Sequence, residues 1–288
     1  MKKILVAGAT GQLGREVVRE LRERGYWTRA LVRDKGRART LGADELFEGD
    51  VTRPETLRGA CEGIDAVFSS VGASLSTKRI KGGQSFTEVD YKGNKNLLDA
   101  ALDCGINRFV YVSVFSENLS EQLEYIRAHK DFERELARSG VNYTVLRPTG
   151  FFSAFLEILE MARRGIVPLI GESRARVNPI HEADLARVAV DALESGALEV
   201  NAGGAEVLTR REIVELAFKA LGRKTSAVKV PPKIFGLMLP LIRLYDKRLH
   251  ALFDFFLAVN QADMVAPAHG TRRLGEFFAA SNQGAVKG

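Results

Sequence analysis

Seven residues near the amino terminus, Gly8-Ala9-Thr10-Gly11-Gln12-Leu13-Gly14, have the composition of a phosphate cradle. Glycines at this spacing let the backbone turn tightly and approach an anion with no Cβ in the way. The loop follows an apolar run, Ile4 to Ala7, and opens a segment in which Leu13, Val17, Val18 and Leu21 recur at helical intervals. A strand before and a helix after would turn free N–H groups and the positive end of a helix dipole toward a pyrophosphate. The pattern is GxxGxxG rather than GxGxxG. About twenty residues beyond such a loop, dinucleotide folds place an acid on the ribose 2′-hydroxyl. Here a second apolar run ends in Val32-Arg33, followed by Asp34, Lys35 and Arg37. A guanidinium there would grip a 2′-phosphate by paired, charge-assisted bonds, which favours NADP(H) over NAD(H). The other reading leaves Arg33 solvated and puts Asp34 on the ribose.

The elements that would position this loop are legible as alternation. Lys3–Ala7, Trp27–Val32, Ala66–Ser69, Arg108–Val114 and Tyr143–Leu146 read as strands, with amphipathic segments between them. Thr52 is placed to cap a helix beginning near Pro54 and Glu55. Alternation at this spacing predicts βαβ units and a parallel sheet covered on both faces. After Pro148 it loosens, with a helix expected at Glu182–Leu193, a strand at Leu198–Asn201, a Gly203-Gly204 turn, and a helix at Arg210–Leu221 capped by Thr209.

Composition bounds the function classes. The 288 residues carry 42 Lys and Arg against 36 Asp and Glu, a net charge of +6 with the signs interleaved rather than blocked. That argues against a nucleic-acid surface, while a mildly basic protein suits an anionic cofactor. A hydrophobic fraction of 45% with 27% charged residues excludes disorder and low complexity. Cys61 and Cys104 are too few for a disulfide framework, and His129, His181, His250 and His269 lack ligand spacing, so no metal site is expected. The short apolar run after Lys2-Lys3 is no export signal, which leaves a cytoplasmic protein as the expectation.

With these residues in hand, the chain resembles the extended and atypical short-chain dehydrogenase/reductase superfamily, and its NmrA-like NAD(P)-binding members in particular. The likeness runs from Met1 to about Ala220. It is carried by GATGQLG, by Gly49-Asp50-Val51, by Ser69-Ser70-Val71-Gly72, by Asn94, by Arg147-Pro148-Thr149-Gly150-Phe151 and by Asn178 to Ala186. The resemblance implies a Rossmann-type, doubly wound parallel sheet with a smaller, mainly helical carboxyl-terminal subdomain. It implies a dinucleotide domain over 1–150, with 178–195 returning to it, and a substrate or lid subdomain over 151–177 and 196–288. Asp50 and Val51 would meet the adenine, Ser70 and Val71 would pass the ribose, and Pro148 and Phe151 would border the nicotinamide. Asn94, Phe115, Phe151, Phe152 and His181 become candidates for the substrate pocket.

Members of that superfamily pair a Tyr general acid with a Lys four residues later, the cation easing ionisation of the phenol. In family register Ser113 and Lys130 take the Ser and Lys positions, but Ile126 stands where the Tyr belongs. Tyr125 is one residue off, about 100° away around a helix. Three readings follow: an NADPH-dependent reductase of an apolar carbonyl, quinone or enone; a catalytically silent NADP(H) sensor that reports to a protein partner; or an isomerase, epimerase or assembly factor. The apolar stretch within 229–256 reads as a lid or oligomer contact, favoured because Pro240, Asp246 and Asp254 interrupt it, or as a peripheral membrane contact.

Overall fold

Short β-branched runs and amphipathic helices close one parallel sheet in the computed structural model, which describes residues 1–75 and 83–286. Six strands come first: β1 (Lys3–Ala7), β2 (Trp27–Val32), β3 (Glu45–Glu48), β4 (Ala66–Ser69), β5 (Arg108–Val112) and β6 (Asn142–Pro148). β7 (Val167–Ile170) and β8 (Arg176–Val177) leave the sheet, and β9 (Glu199–Ala202) returns to its edge. The order is β3-β2-β1-β4-β5-β6-β9, with every pairing parallel. Strand order therefore reverses direction between β1 and β4, where a crevice opens at the carboxyl ends of the strands.

Period-two alternation feeds both faces of the sheet. Ile4 and Val6 point to the side covered by α1 (Gln12–Glu23) and α6 (Glu182–Glu194), where Val17, Val18, Ala189 and Val190 pack. Leu5 and Ala7 point to the other side, covered by α3 (Asn94–Asp103) and α4 (Glu124–Arg138) through Leu97, Leu98, Phe132 and Leu136. Burial of both faces explains why the strands read as continuous apolar runs. The short helix α2 (Lys35–Ala38) follows β2.

The second lobe has a core of its own. Phe152, Phe155, Leu159, Phe218 and Phe278 meet where α5 (Leu156–Arg163), α7 (Arg210–Ala220) and α10 (Leu274–Val286) converge. Two small ribbons support it, β8 with β10 (Leu208–Thr209) and β7 with β11 (Ala227–Val230). Thr209 caps α7 as expected, in a reciprocal capping box with Glu212. A helical pair, α8 (Pro232–Tyr245) and α9 (Lys247–Val259), seats α9 on α4 through Ala251, Leu252 and Phe255. The buried Asp184 carboxylate ties the chain before α10 to α6, accepting from the N–H groups of Thr271 (2.9 Å) and Arg272 (3.1 Å).

Several expectations shift. β9 lies in the main sheet, so the returning part of the dinucleotide domain runs past 195 into the span assigned to the lid. The residues near Pro54 form one tight turn, Pro54–Leu57, with Arg53 rather than Thr52 in front of it. Thr52 is taken up locally, its N–H and hydroxyl both donating to Asp50 Oδ1. β3 was not foreseen because Glu45 and Glu48 flank only two apolar residues, charges that suit an edge strand. The segment Ser281 to Gly288, polar enough in sequence to suggest a frayed tail, continues α10 to Val286, and residues 287 and 288 lie outside the described residues.

Phe132 is fully buried against Phe109 and Tyr111 and holds α4 to the sheet. Phe132→Ala is expected to cost about 3–5 kcal/mol of unfolding free energy, read as a lower urea midpoint with an unchanged slope.

Candidate functional site

The turn from β1 into α1 is shaped by what its glycines lack. Gly8 has φ +78, and a Cβ there would fall 2.7 Å from both the carbonyl oxygen and the hydroxyl of Ser70. A Cβ on Gly14 would overlap the carbonyl oxygen of Gly8. Gly11 leads α1 in without a side-chain cap, and the first turn holds no acid. The first N–H groups of a helix lack intrahelical partners, so they and the dipole face the crevice mouth. This bare cradle fits a pyrophosphate.

On one side of the cradle lies a chamber of about 430 Å³, lined by Gly8, Thr10, Gly11, Arg33, Asp50, Val51, Ser70 and Val71 among others. Burial pushes the Asp50 carboxyl up, but bonds from Thr52 and the nearby Arg33 and Arg53 hold it below its ordinary value. Asp34 is engaged elsewhere. Its carboxylate accepts from Arg37 N–H at the head of α2 and pairs with the Arg37 guanidinium at 3.4 Å. Of the two side chains weighed for the ribose, Arg33 is the one in the chamber wall.

On the other side a larger chamber of about 740 Å³ runs from Gly11, Gln12, Leu13 and Gly14 past Ser113 to Phe151, Leu156, Leu159 and Phe256. Its wall also carries Asp90, Tyr125 and His129. Asp90 and His129 are buried and face each other, Oδ1 to Nε2 at 3.4 Å, and neither of these two atoms has a hydrogen-bond partner. His129 Nδ1 lies 2.5 Å from the Tyr111 hydroxyl, and the Tyr125 ring stands edge-on to the imidazole at 4.7 Å. Burial disfavours charge on every member of this group. It pushes Asp90 up to about 8 and His129 down to about 4, and it raises both tyrosines. Between those values the pair is neutral. The two ring nitrogens of His129 thus face one hydroxyl, that of Tyr111, and one carboxyl, that of Asp90.

Other residues singled out by sequence are brought to different places. Lys130 stands one residue past His129 and is rotated out of the chamber wall, its Nζ on Glu133 Oε2 at 3.0 Å. Ser113 does line the chamber, but its hydroxyl donates to Glu133 Oε1 at 2.6 Å. Burial raises Glu133, yet Arg147, Ser113 and Lys130 together hold its carboxyl below the usual value. Ile126, in the first turn of α4, is fully buried. Pro148 is buried in β6, and Phe115 and Phe152 belong to the core of the second lobe. His181 caps α6, its Nδ1 accepting from Ala183 N–H, with its ring against Phe152 and Phe277. Asn94 is buried beneath the loop after β4, where it accepts from Ser69 and donates to the carbonyl oxygens of Val71 and Asp90. It thereby holds the segment whose Ser70 and Val71 wall both chambers. Among the described residues no group of His, Cys, Asp and Glu could hold a metal ion.

The Asp90–His129 pair went unread. Its signal was present, since Tyr125 and His129 are four apart on one helix and so share a face. Asp90 comes from the preceding helical stretch, Thr87–Gly93, and only the fold brings it opposite.

Known proteins bear on this geometry. A family described as NAD(P)H-binding matches residues 8–196. The photosystem II assembly factor Ycf39 of Cyanophora paradoxa is 37% identical over 156 residues, which cover 53% of this chain and 47% of that protein, about half its length. Ycf39 of Guillardia theta is 30% identical, covering 79% of this chain and 73% of its own. Divinyl chlorophyllide a 8-vinyl-reductase of Arabidopsis thaliana, a chloroplastic protein, is 31% identical, covering 97% of this chain and 69% of its own. The NADPH-dependent quinone oxidoreductase QOR2 of Escherichia coli, solved with NADPH, shares the fold with a TM-score of 0.75 at 21% identity, covering 97% and 99% of the two chains.

A buried acid held at about 8, against an ordinary 3.8, keeps its proton in the fold while the unfolded chain has lost it. Its contribution to stability is therefore present below about pH 4 and is lost as pH rises toward 8. Asp90→Asn is expected to gain stability over the parent progressively across that window in thermal unfolding, with no gain at its acid end. A difference that does not vary with pH would contradict the neutral pair.

Proposed function

The chain belongs to the NAD(P)H-binding family, within the short-chain dehydrogenase/reductase superfamily, and from that premise we propose that it is an NADPH-dependent reductase of an apolar, conjugated substrate. The observation that carries this reading is one cleft with two contrasting ends. The chambers share Gly11, Ser70 and Val71 as walls, with Arg33 and Asp50 at one end and Phe151, Leu156, Leu159 and Phe256 at the other. Arg33 supports the preference for a 2′-phosphate. The apolar end suits a quinone, an enone or a vinyl group on a conjugated ring, the last in keeping with the name of the Arabidopsis relative.

When bound, a dihydronicotinamide supplies a hydride. The chain must then deliver the proton to the other atom of the reduced bond. Neither a Tyr–Lys pair nor any lysine lines either chamber among the described residues. Asp90 and His129 belong to the chamber wall and hold a proton in neutral form, with Asp90 Oδ1 and His129 Nε2 themselves buried. The proposed donor is this pair, with Tyr125 shaping the wall over it and Glu133 positioning Ser113.

A second reading, a cofactor-binding assembly factor, is favoured by the absence of the Tyr–Lys pair and by the name borne by the Ycf39 relatives. Titration with NADPH and NADH, followed by NADPH consumption with quinones, enones and divinyl tetrapyrroles, separates the two. Turnover supports the reductase, while tight binding with no turnover on any acceptor supports the second reading.

Two variants sharpen the test. Arg33→Asp is expected to weaken NADPH binding about tenfold or more with little effect on NADH, the loss of one charged hydrogen-bond pair. Equal losses for both would remove the specificity argument. Asp90→Asn and His129→Gln are expected to lower kcat about a hundredfold or more with NADPH affinity retained, whereas Lys130→Ala leaves kcat near the parent value.

A further inference from the structure

The reductase reading leaves one surface unused. In α8, Ile234, Leu237, Leu241 and Leu244 recur at intervals of three, four and three, so they fall on one stripe of the helix. That stripe faces solvent, with Leu237 76% exposed, Leu241 70% and Leu244 89%. Folded chains seldom leave a row of large aliphatic side chains in water unless something covers it. The charge beside it is mostly of one sign. From 216 to 245 there is no Asp or Glu, while Lys233 and Arg243 flank the stripe in sequence and Lys247 opens α9; Lys229 is already paired with Glu172 at 3.4 Å. The first acid after that stretch, Asp246, is used internally, its carboxylate accepting from Leu249 N–H at 2.9 Å as the cap of α9. At 14 residues α8 is too short to span a bilayer, and no helix among the described residues is long and apolar enough to cross one.

We infer that α8 is an interfacial anchor: its leucine stripe enters the boundary between headgroups and acyl chains of an anionic lipid surface, with Lys233, Arg243 and Lys247 among the phosphates. The charge selects lipid over a second copy of the chain, because two copies meeting on this face would bring like charges together. The site lies next to the cleft. α9, which follows after a single residue, contributes Arg248 to one chamber and Phe256 to the other. A substrate dissolved in the lipid would thus meet the cleft at the helix pair that forms part of its wall. The anchor stands independently of the reductase reading.

Flotation of the full chain with vesicles tests it, using phosphatidylcholine alone and equimolar phosphatidylcholine and phosphatidylglycerol. The chain is expected to float with the mixed vesicles, far less with the neutral ones, and less as salt rises. The double variant Leu237→Glu, Leu241→Glu changes exposed side chains and is expected to abolish flotation with NADPH affinity intact. Lys233→Gln and Arg243→Gln should each weaken binding about fivefold. Equal binding to both vesicle types, or none to either, would overturn the anchor. A dimer seen by light scattering, dispersed by the leucine substitutions and without vesicle binding, would assign the stripe to a second copy.

Discussion

The close approach of Gly8 to Ser70 sets the geometry on which the rest depends. Two neighbouring parallel strands, β1 and β4, send their connections to opposite sides of the sheet. Their carboxyl ends can stay together only if the residue at position 8 carries no side chain. With that contact made, the amino terminus of α1 faces the crevice and the loop after β4 becomes the partition between two chambers. Both chambers inherit their position from one missing Cβ.

Two buried polar groups beside that crevice resolve their burial in opposite ways. Glu133 stays charged because Ser113, Lys130 and Arg147 give its two oxygens four donors, and Arg147 continues to Glu199 at the surface. This network knits α4 to β5, β6 and β9, and it immobilises the lysine and serine that the family pattern would send to chemistry. Asp90 and His129 have no such company at Oδ1 and Nε2. Burial disfavours their charged forms instead. One carboxylate is held charged by a full set of donors, and the other acid escapes the cost of burial by keeping its proton.

What was legible in the sequence follows the range of each signal. Ile4 to Ala7 and the glycines after it declare strand, turn and helix through contacts no more than a few residues apart, and the same holds for the Thr209 cap. The two-residue strands β8 and β10, and β3 with its flanking glutamates, carry too little periodicity to register. Side-chain destinations were the least legible. Lys130 sits in the family's register, yet its direction was decided by Glu133 and Arg147, the latter from β6. Phe115 and Phe152 have the right chemistry for a pocket but are claimed by the core of the second lobe. The Asp90–His129 pair joins residues 39 positions apart and so has no local signature.

The placement of α9 has a thermodynamic side. Arg248 and Phe256 are eight residues apart, about 12 Å along one helix, and each belongs to the wall of a different chamber. A helix that is stiff over that distance cannot adjust one wall without carrying the other. Any ligand that displaces α9 on entering the polar end therefore alters the fit of the apolar end. The effect must be reciprocal, with the free energy by which the first ligand changes the affinity for the second equal to that by which the second changes the first. Order of binding, in such a cleft, is a matter of rates alone.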